Sequence, residues 1–157
     1  MNIETERKFL VADDSFKSEA VRTLRIKQGY IAHDAGRTVR VRIADDKGFL
    51  TIKGPSTDNG LSRFEWEKEI ALDEARELLS LCGTDVIDKW RHIVPFGGHT
   101  FEVDEFLGDN AGLIVAEVEM GSTDEVVSLP EWIREEVTSD RRYRNSALCS
   151  LPFKDWK

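Results

Sequence analysis

Cysteine is scarce in this chain of 157 residues, which contains only Cys82 and Cys149. A small secreted scaffold held together by disulfides needs more cysteines, and a chain of this length can bury a core of its own, so we expect two reduced structural thiols. Long apolar runs are missing as well: none approaches the roughly 20 residues of a membrane span, and charged residues begin too early for a signal peptide. These absences predict a single domain over residues 1–157, no membrane partner and a cytoplasmic location.

Positive charge is also in short supply. The chain has 22 Lys and Arg against 30 Asp and Glu, which gives a formal net charge of −8. Domains that bind nucleic acids normally carry a basic surface, so the charge balance argues against a nucleic-acid partner. Yet charged residues make up 33% of the chain and apolar residues 40%, so a globular fold must accommodate an unusual number of charges.

The charged residues alternate with apolar ones. Glu4, Glu6 and Lys8 occupy every second position of the first segment, and a β-strand would place all three side chains on one face. The alternation is cleanest over residues 38–43, where Arg40 and Arg42 are separated by apolar side chains. Comparable patterns predict eight strands, over residues 3–10, 24–30, 38–43, 49–55, 63–70, 86–94, 101–106 and 113–120.

Helices are predicted at four places, over residues 13–20, 73–81 and 130–137 and after Asn145. The first of these follows the first strand, and the second follows the strand at 63–70. Both halves of the chain therefore read as strand, helix and three strands, which suggests an internal duplication.

The position of the charged faces decides the fold. An open antiparallel sheet can turn a charged face to water, and for one strand this is the commoner arrangement. Here, however, the polar face is almost wholly ionisable, and cations recur on consecutive strands; they are Arg25, Lys27, Arg40, Arg42, Lys53, Lys89 and Arg91. Like charges about 4 Å apart repel by roughly 4 kcal/mol at an effective dielectric constant near 20, so something anionic should offset them. We therefore predict an α+β fold in which a closed eight-stranded antiparallel β-barrel encloses a charged tunnel and the helices pack outside.

Closure of the barrel would join the first strand to the last and so bring four acidic side chains together, Glu4, Glu6, Glu117 and Glu119. Carboxylate oxygens are the ligands that hard cations such as Mg²⁺ or Mn²⁺ prefer. The Lys and Arg side chains of the tunnel would bind phosphate oxygens. Together these groups predict a site for a polyanion and a divalent metal ion.

Six elements occur in a fixed order along the chain: Glu4-x-Glu6-x-Lys8, Arg40-x-Arg42, Lys53, Lys89-x-Arg91, Glu117-x-Glu119 and Asp140-x-x-Tyr143-x-Asn145. Over essentially the whole chain this order resembles the CYTH family, also called triphosphate tunnel metalloenzymes. The resemblance implies an eight-stranded tunnel that binds triphosphate compounds with Mg²⁺ or Mn²⁺. Members of that family include inorganic, thiamine and RNA triphosphatases and the class IV adenylyl cyclases.

On this basis we expect metal-dependent hydrolysis of inorganic triphosphate to diphosphate and phosphate, because the chain is short and has no obvious insertion for an organic group. Lys8, Arg40 and Glu117 are the expected catalytic residues. The expected substrate-binding residues are Lys8, Arg25, Lys27, Arg40, Arg42, Lys53, Lys89 and Arg91. The expected metal ligands are Glu4, Glu6, Glu117 and Glu119. Glu65, Glu67, Glu102 and Asp104 have the right parity to line the tunnel too. Tyr30 and Tyr143 are further site candidates, although a structural role is favoured for both.

Other functions remain open at this stage. A class IV-type adenylyl cyclase or a thiamine or nucleoside triphosphatase would use the same phosphate and metal residues, but a cyclase also needs an adenine pocket. A non-catalytic polyphosphate-binding module could keep the cationic wall and would not need the four carboxylates. The sequence leaves a homodimer open.

Overall fold

Eight antiparallel strands form a closed barrel in the computed structural model, which describes residues 3–157. The strands are β1 (Ile3–Val11), β2 (Arg22–Asp34), β3 (Arg37–Ala44), β4 (Lys47–Thr57), β5 (Ser62–Ile70), β6 (Val86–Phe96), β7 (His99–Phe106) and β8 (Ile114–Glu119). Around the barrel they follow the order β1-β5-β4-β3-β2-β6-β7-β8, and β8 pairs with β1 to close it. The predicted eight-stranded antiparallel barrel is confirmed.

Two α-helices are present among the described residues, α1 (Leu72–Ser80) and α2 (Asn145–Ser150), together with several short 3-10 helices. The helix predicted over residues 13–20 is a 3-10 helix, Ser15–Glu19. Both halves keep the order of strand, helix and three strands. No helix in the described part of the chain combines the length and the apolar character needed to cross a membrane.

α1 packs on the outer face of the barrel against β2, β3 and β4. Glycines allow this close approach: a Cβ atom at Gly48 would lie 2.6 Å from the Cβ of Ala75, and one at Gly29 would overlap the side chain of Cys82. The helix therefore covers an outer apolar face, as the barrel requires.

The prediction of a helix over residues 130–137 is wrong, because Ile133–Glu136 form a ninth strand, β9, which pairs with β1. On that edge of β1, β5 pairs only with Ile3–Thr5, so the rest of the edge is free to pair with β9. The guanidinium of Arg7 also donates hydrogen bonds to the Glu136 carboxylate, at 2.8 and 3.1 Å. Pairing with an available strand edge thus overrides a helical pattern that begins with a proline. The helix predicted after Asn145 is confirmed as α2.

The C-terminal segment, residues 140–157, covers one end of the barrel. Tyr143 and Leu148 pack in one buried cluster with Tyr30, Ile87 and Phe106. Tyr30 lies near the end of β2, Phe106 is the last residue of β7, and Ile87 lies near the start of β6. In an antiparallel barrel these three positions are at the same end. We call this end of the barrel the covered end.

Candidate active site

A cavity of about 200 Å³ lies inside the barrel, and nearly all of its lining is charged or polar. Its cationic side chains are Lys8, Arg40, Arg42, Lys53, Arg63, Lys89, Arg91 and Arg144. Its acidic side chains are Glu4, Glu6, Glu65, Glu67, Glu102, Glu117 and Glu119. Cations are thus slightly in excess here, although acids outnumber them in the whole chain. Pockets for drug-sized ligands measure about 300–1,000 Å³, so this cavity suits a smaller and strongly charged ligand.

The barrel brings together most of the residues that the sequence predicts for the site, because they occupy the inward positions of their strands. β1 contributes Glu4, Glu6 and Lys8, and β3 contributes Arg40 and Arg42. The other predicted residues that border the cavity are Tyr30, Lys53, Glu65, Glu67, Lys89, Arg91, Glu102, Glu117 and Glu119. Asp104 does not border the cavity; it is almost wholly buried behind Lys89 and Arg91.

The predicted positions of Arg25 and Lys27 in the tunnel are wrong. Lys27 is exposed, and the guanidinium of Arg25 lies outside, where it donates two 2.8 Å hydrogen bonds to Asp88 and stacks 4.9 Å from the ring of Trp90. The inward positions of β2 are those of Ile26, opposite Lys89, and its even-numbered neighbours. Alternation separates the two faces of a strand, but only pairing with neighbouring strands decides which face is inward.

Tyr143 does not border the cavity, in agreement with the structural role favoured for it. Its ring packs in the apolar cluster at the covered end, in a T-shaped contact with Trp156 whose centroids are 5.0 Å apart. Tyr30 does border the cavity, where its hydroxyl accepts a 2.9 Å hydrogen bond from Gln28 Nε2.

One buried carboxylate holds two of the cations. Asp104 accepts a hydrogen bond from Lys89 Nζ at 2.7 Å and from Arg91 Nε and Nη2 at 2.8 and 2.9 Å. Only 1% of the Lys89 and Asp104 side chains is exposed. Burial lowers the pKa of Lys89 to about 7 even though Asp104 opposes the shift. Burial would also raise the pKa of Asp104, but Arg91 and Lys89 hold it below its usual value.

Three of the other six cations of the cavity have carboxylate partners too. Lys53 Nζ lies 3.1 Å from Glu4 Oε1 and 3.2 Å from Glu65 Oε2. The Lys8 ammonium is 4.0 Å from Glu117. Arg40 Nη2 is 3.4 Å from Glu67 Oε2, whereas Arg40 Nε is buried and has no hydrogen-bond partner among the described residues.

Arg42 differs from these cations, because it forms no ion pair with any carboxylate of residues 3–157. Its Nε donates a 3.2 Å hydrogen bond to the neutral amide oxygen of Gln28. Burial lowers the pKa of Arg42 to about 10, and the positive charges of Arg40 and Arg91 add to the shift. An enclosed guanidinium beside two others makes this part of the cavity attractive to an anion.

The acidic side chains have the donor chemistry of a site for a hard cation. Burial raises the pKa of Glu4 to about 7 and that of Glu6 well above its usual value, and Glu117 adds to both shifts. A divalent cation would relieve this repulsion and supply the charge that the carboxylates need. As the side chains stand, however, no three acidic, His or Cys side chains within residues 3–157 are gathered closely enough to hold a metal ion. The carboxylates therefore suit the predicted ion in kind, but they would have to move together to bind it.

Five polar residues border the cavity that were not predicted as site residues from the sequence: Thr38, Arg63, Arg144, Asn145 and Ser146. Thr38 has the same parity in β3 as the two predicted arginines, and Arg63 has the same parity in β5 as Glu65, so alternation could have found both. Asn145 closes the sixth sequence element described above, but nothing local in the sequence indicates that Arg144 and Ser146 reach the tunnel.

Comparisons with known proteins agree with this geometry. The family model described as the CYTH domain matches residues 2–148. A protein of Acetivibrio thermocellus named inorganic triphosphatase is 49% identical over 158 aligned residues, which cover 100% of this chain and 99% of that protein. A second protein with the same name, from Nitrosomonas europaea, is 34% identical over 95% of this chain and 99% of its own length.

A solved structure of an inorganic triphosphatase is similar as well. It has a TM-score of 0.68 and 32% sequence identity to this chain, with 93% of each chain covered. The match of the family model across nearly the whole chain, the full-length relatives and the charged barrel lead to one conclusion: this chain belongs to the CYTH domain family.

Proposed function

We propose that this protein hydrolyses inorganic triphosphate to diphosphate and phosphate inside the barrel. The observation that carries the proposal is the enclosed guanidinium of Arg42, whose hydrogen-bond partner among residues 3–157 is a neutral amide and which lies beside Arg40 and Arg91. A phosphate oxygen would supply the missing negative charge. The names of the two relatives, which match this chain over almost their whole length, support the same activity.

The size and the lining of the cavity favour inorganic triphosphate over a nucleotide. A cavity of about 200 Å³ is smaller than typical pockets for organic ligands. Tyr30 is the one aromatic side chain that borders it among the described residues, and no aliphatic side chain does. An adenine base would need an apolar wall, whereas a triphosphate needs only the charges that are present.

Each group of side chains has a distinct role in the proposed reaction. Arg40, Arg42 and Arg91 would bind phosphate oxygens with their planar forks, and the lysines, Lys8, Lys53 and Lys89, would bind them as point charges. Because Asp104 holds Lys89 and Arg91 in place, these two would meet the triphosphate without reorganising. Charge that develops on the leaving diphosphate would thus be stabilised by side chains already oriented toward it.

Glu4, Glu6, Glu117 and Glu119 would hold Mg²⁺ or Mn²⁺, since the triphosphatases of this family are generally metal-dependent. A bound ion of this kind neutralises phosphate charge and lowers the pKa of its water, so no separate protein base is required. The carboxylates would thus bind the metal ion, and the Lys and Arg side chains would bind the phosphate groups.

The test is phosphate release from tripolyphosphate, ATP and thiamine triphosphate, each with Mg²⁺ and then with Mn²⁺. We expect tripolyphosphate to have the highest kcat/KM. Glu117→Gln should lower kcat by about 100-fold or more while tripolyphosphate still binds. The matched control is Glu135→Gln, at an exposed position of β9, which should leave kcat unchanged. No release from tripolyphosphate, or a clear preference for either organic triphosphate, would refute the proposal.

A further inference from the structure

Two arginines that the proposed reaction does not use border the cavity at its covered end. Arg63 lies at the start of β5, and Arg144 lies immediately before α2. Neither forms an ion pair with a carboxylate of residues 3–157. Arg63 donates 2.9 Å hydrogen bonds to the carbonyl oxygens of Gly54 and Gly36, and Arg144 donates one to the hydroxyl of Ser56. Both positive charges are therefore held by neutral oxygens.

The two side chains also repel each other. Burial lowers the pKa of Arg144, and the neighbouring charges of Arg63 and Arg141 lower it further. Burial lowers the pKa of Arg63 as well, although the nearby carboxylates of Glu4 and Glu6 oppose this shift. Among residues 3–157, no carboxylate forms an ion pair with Arg144, and the hydroxyl of Ser56 is its side-chain hydrogen-bond partner. A partly buried cluster of arginines in which neither Arg63 nor Arg144 forms an ion pair within residues 3–157 is an attractive position for an anion.

The position of the pair is equally informative. Arg63 and Arg144 border both the tunnel cavity and a groove on the outer surface. Arg141 is exposed in that groove, and Thr38 and Ser146 also border both spaces. The two arginines thus lie at the boundary between the tunnel cavity and the outer groove. The hydroxyl groups of Thr38 and Ser146 could donate further hydrogen bonds there.

We propose that Arg63 and Arg144 form a second phosphate-binding subsite at the covered end of the tunnel, with Arg141 on its outer side. The proposal rests on the proposed function, because the ligand is a phosphate group of that reaction. It is either a terminal phosphate of the bound triphosphate or the orthophosphate product as it leaves. The chemistry is the same in both cases: planar guanidinium groups bind a phosphate through charge-assisted hydrogen bonds.

The test compares Arg144→Gln with two matched controls. Ser56→Ala removes the present hydrogen-bond partner of Arg144 and keeps the charge, and Arg142→Gln removes an exposed arginine that pairs with Asp140 outside the cavity. Calorimetry measures the affinity for tripolyphosphate and for orthophosphate in EDTA, and steady-state kinetics adds KM and product inhibition. Loss of a charge-assisted hydrogen bond corresponds to an affinity loss of about 10- to 100-fold for Arg144→Gln. Both controls should stay within about twofold of the parent protein.

The two sources of the phosphate give different results. Weaker tripolyphosphate binding with a higher KM means that the subsite holds one end of the substrate. Unchanged tripolyphosphate binding with weaker inhibition by orthophosphate means that it holds the product. Either result supports the subsite. It is overturned if Arg144→Gln binds both anions as the parent does, or if Ser56→Ala causes the same loss, which would make Arg144 a structural contact only.

Arg141→Gln is the second variant, since its exposed side chain forms no ion pair within residues 3–157 and folding should not depend on it. We expect it to weaken binding of the same anion by about threefold. If Arg144→Gln does not fold, Arg141→Gln decides, and parent-like binding of both anions would then overturn the subsite. Binding in EDTA needs no turnover, so the calorimetry tests the subsite even if the parent protein fails to hydrolyse tripolyphosphate.

Discussion

Asp104 provides a strong test of the charged interior, because a single change, Asp104→Asn, keeps the shape of the side chain and removes its charge. The carboxylate accepts hydrogen bonds of 2.7–2.9 Å from Lys89 and Arg91, and 1% of its side chain is exposed. Removing one partner of a buried ion pair costs about 3–5 kcal/mol, because the remaining charge stays buried without compensation. In a protein of this size, 1 kcal/mol shifts the melting temperature by about 2–4 °C. We therefore expect Asp104→Asn to melt roughly 6–20 °C below the parent.

The outer face of the barrel supplies the matched control. Asp88 accepts two 2.8 Å hydrogen bonds from Arg25, but 31% of its side chain and 46% of that of Arg25 are exposed. Pairs of this kind contribute about 0–1 kcal/mol, so Asp88→Asn should lower the melting temperature by no more than about 4 °C.

The assay is thermal unfolding followed by circular dichroism in EDTA, without and with tripolyphosphate. The anion should raise the melting temperature of Asp104→Asn more than that of the parent, because it finds Lys89 without its carboxylate partner and Arg91 paired with Glu102 alone. The reasoning is refuted if Asp104→Asn and Asp88→Asn lose the same few degrees, since the pair inside the barrel would then behave like a solvated one.

Three further predictions follow from the described contacts. Arg42→Met should leave the anion-free protein as stable as the parent or more stable, because it removes a partly buried charge that has no carboxylate partner among residues 3–157. It should weaken tripolyphosphate binding by about 10-fold or more, and a large loss of stability in denaturant titrations would contradict this prediction. Burial raises the pKa of Glu4 from 4.5 to about 7, so between these pH values the native state holds a proton that the unfolded state has released, and stability in EDTA should fall as the pH rises. When stability is followed as the melting temperature, saturating Mg²⁺ should abolish this fall, and Glu4→Gln should reduce it. The assignment to Glu4 is disproved if the melting temperature depends on pH equally in the parent in EDTA, in the parent with Mg²⁺ and in Glu4→Gln. Gly29→Ala should destabilise the protein by about 1–3 kcal/mol, because the new methyl group would overlap Cys82, and parent-like urea unfolding would show that α1 moves aside freely.

Local patterns in the chain were sufficient to predict the barrel and the greater part of the candidate site. The alternation of side chains is a property of each strand alone, so the positions of Arg40 and Arg42, and of Glu4 and Glu6, could be assigned to one face before any pairing was known. The repeated order of strand, helix and three strands also predicted eight strands in two halves, and the described fold contains them.

The same patterns failed wherever the outcome depends on a partner distant in sequence. β2 alternates as β3 does, yet Arg25 and Lys27 face outward, because pairing with β6 places Ile26 opposite Lys89 inside the barrel. Residues 133–136 carry a helical pattern but complete the open edge of β1. In both cases the local preference is weaker than the hydrogen bonds and packing that a neighbouring strand provides.

The sequence by itself therefore determined which side chains share a face of each strand, which residue types could bind phosphate and metal, and how many strands must close. The tertiary structure alone decided which face points inward, which cations receive a carboxylate and which, like Arg42, do not. It also brought Arg63 and Arg144 to one end of the tunnel. The physical reason is that alternation is set by backbone geometry within a single strand, whereas strand register, edge pairing and the meeting of side chains about 80 residues apart depend on how the whole barrel closes.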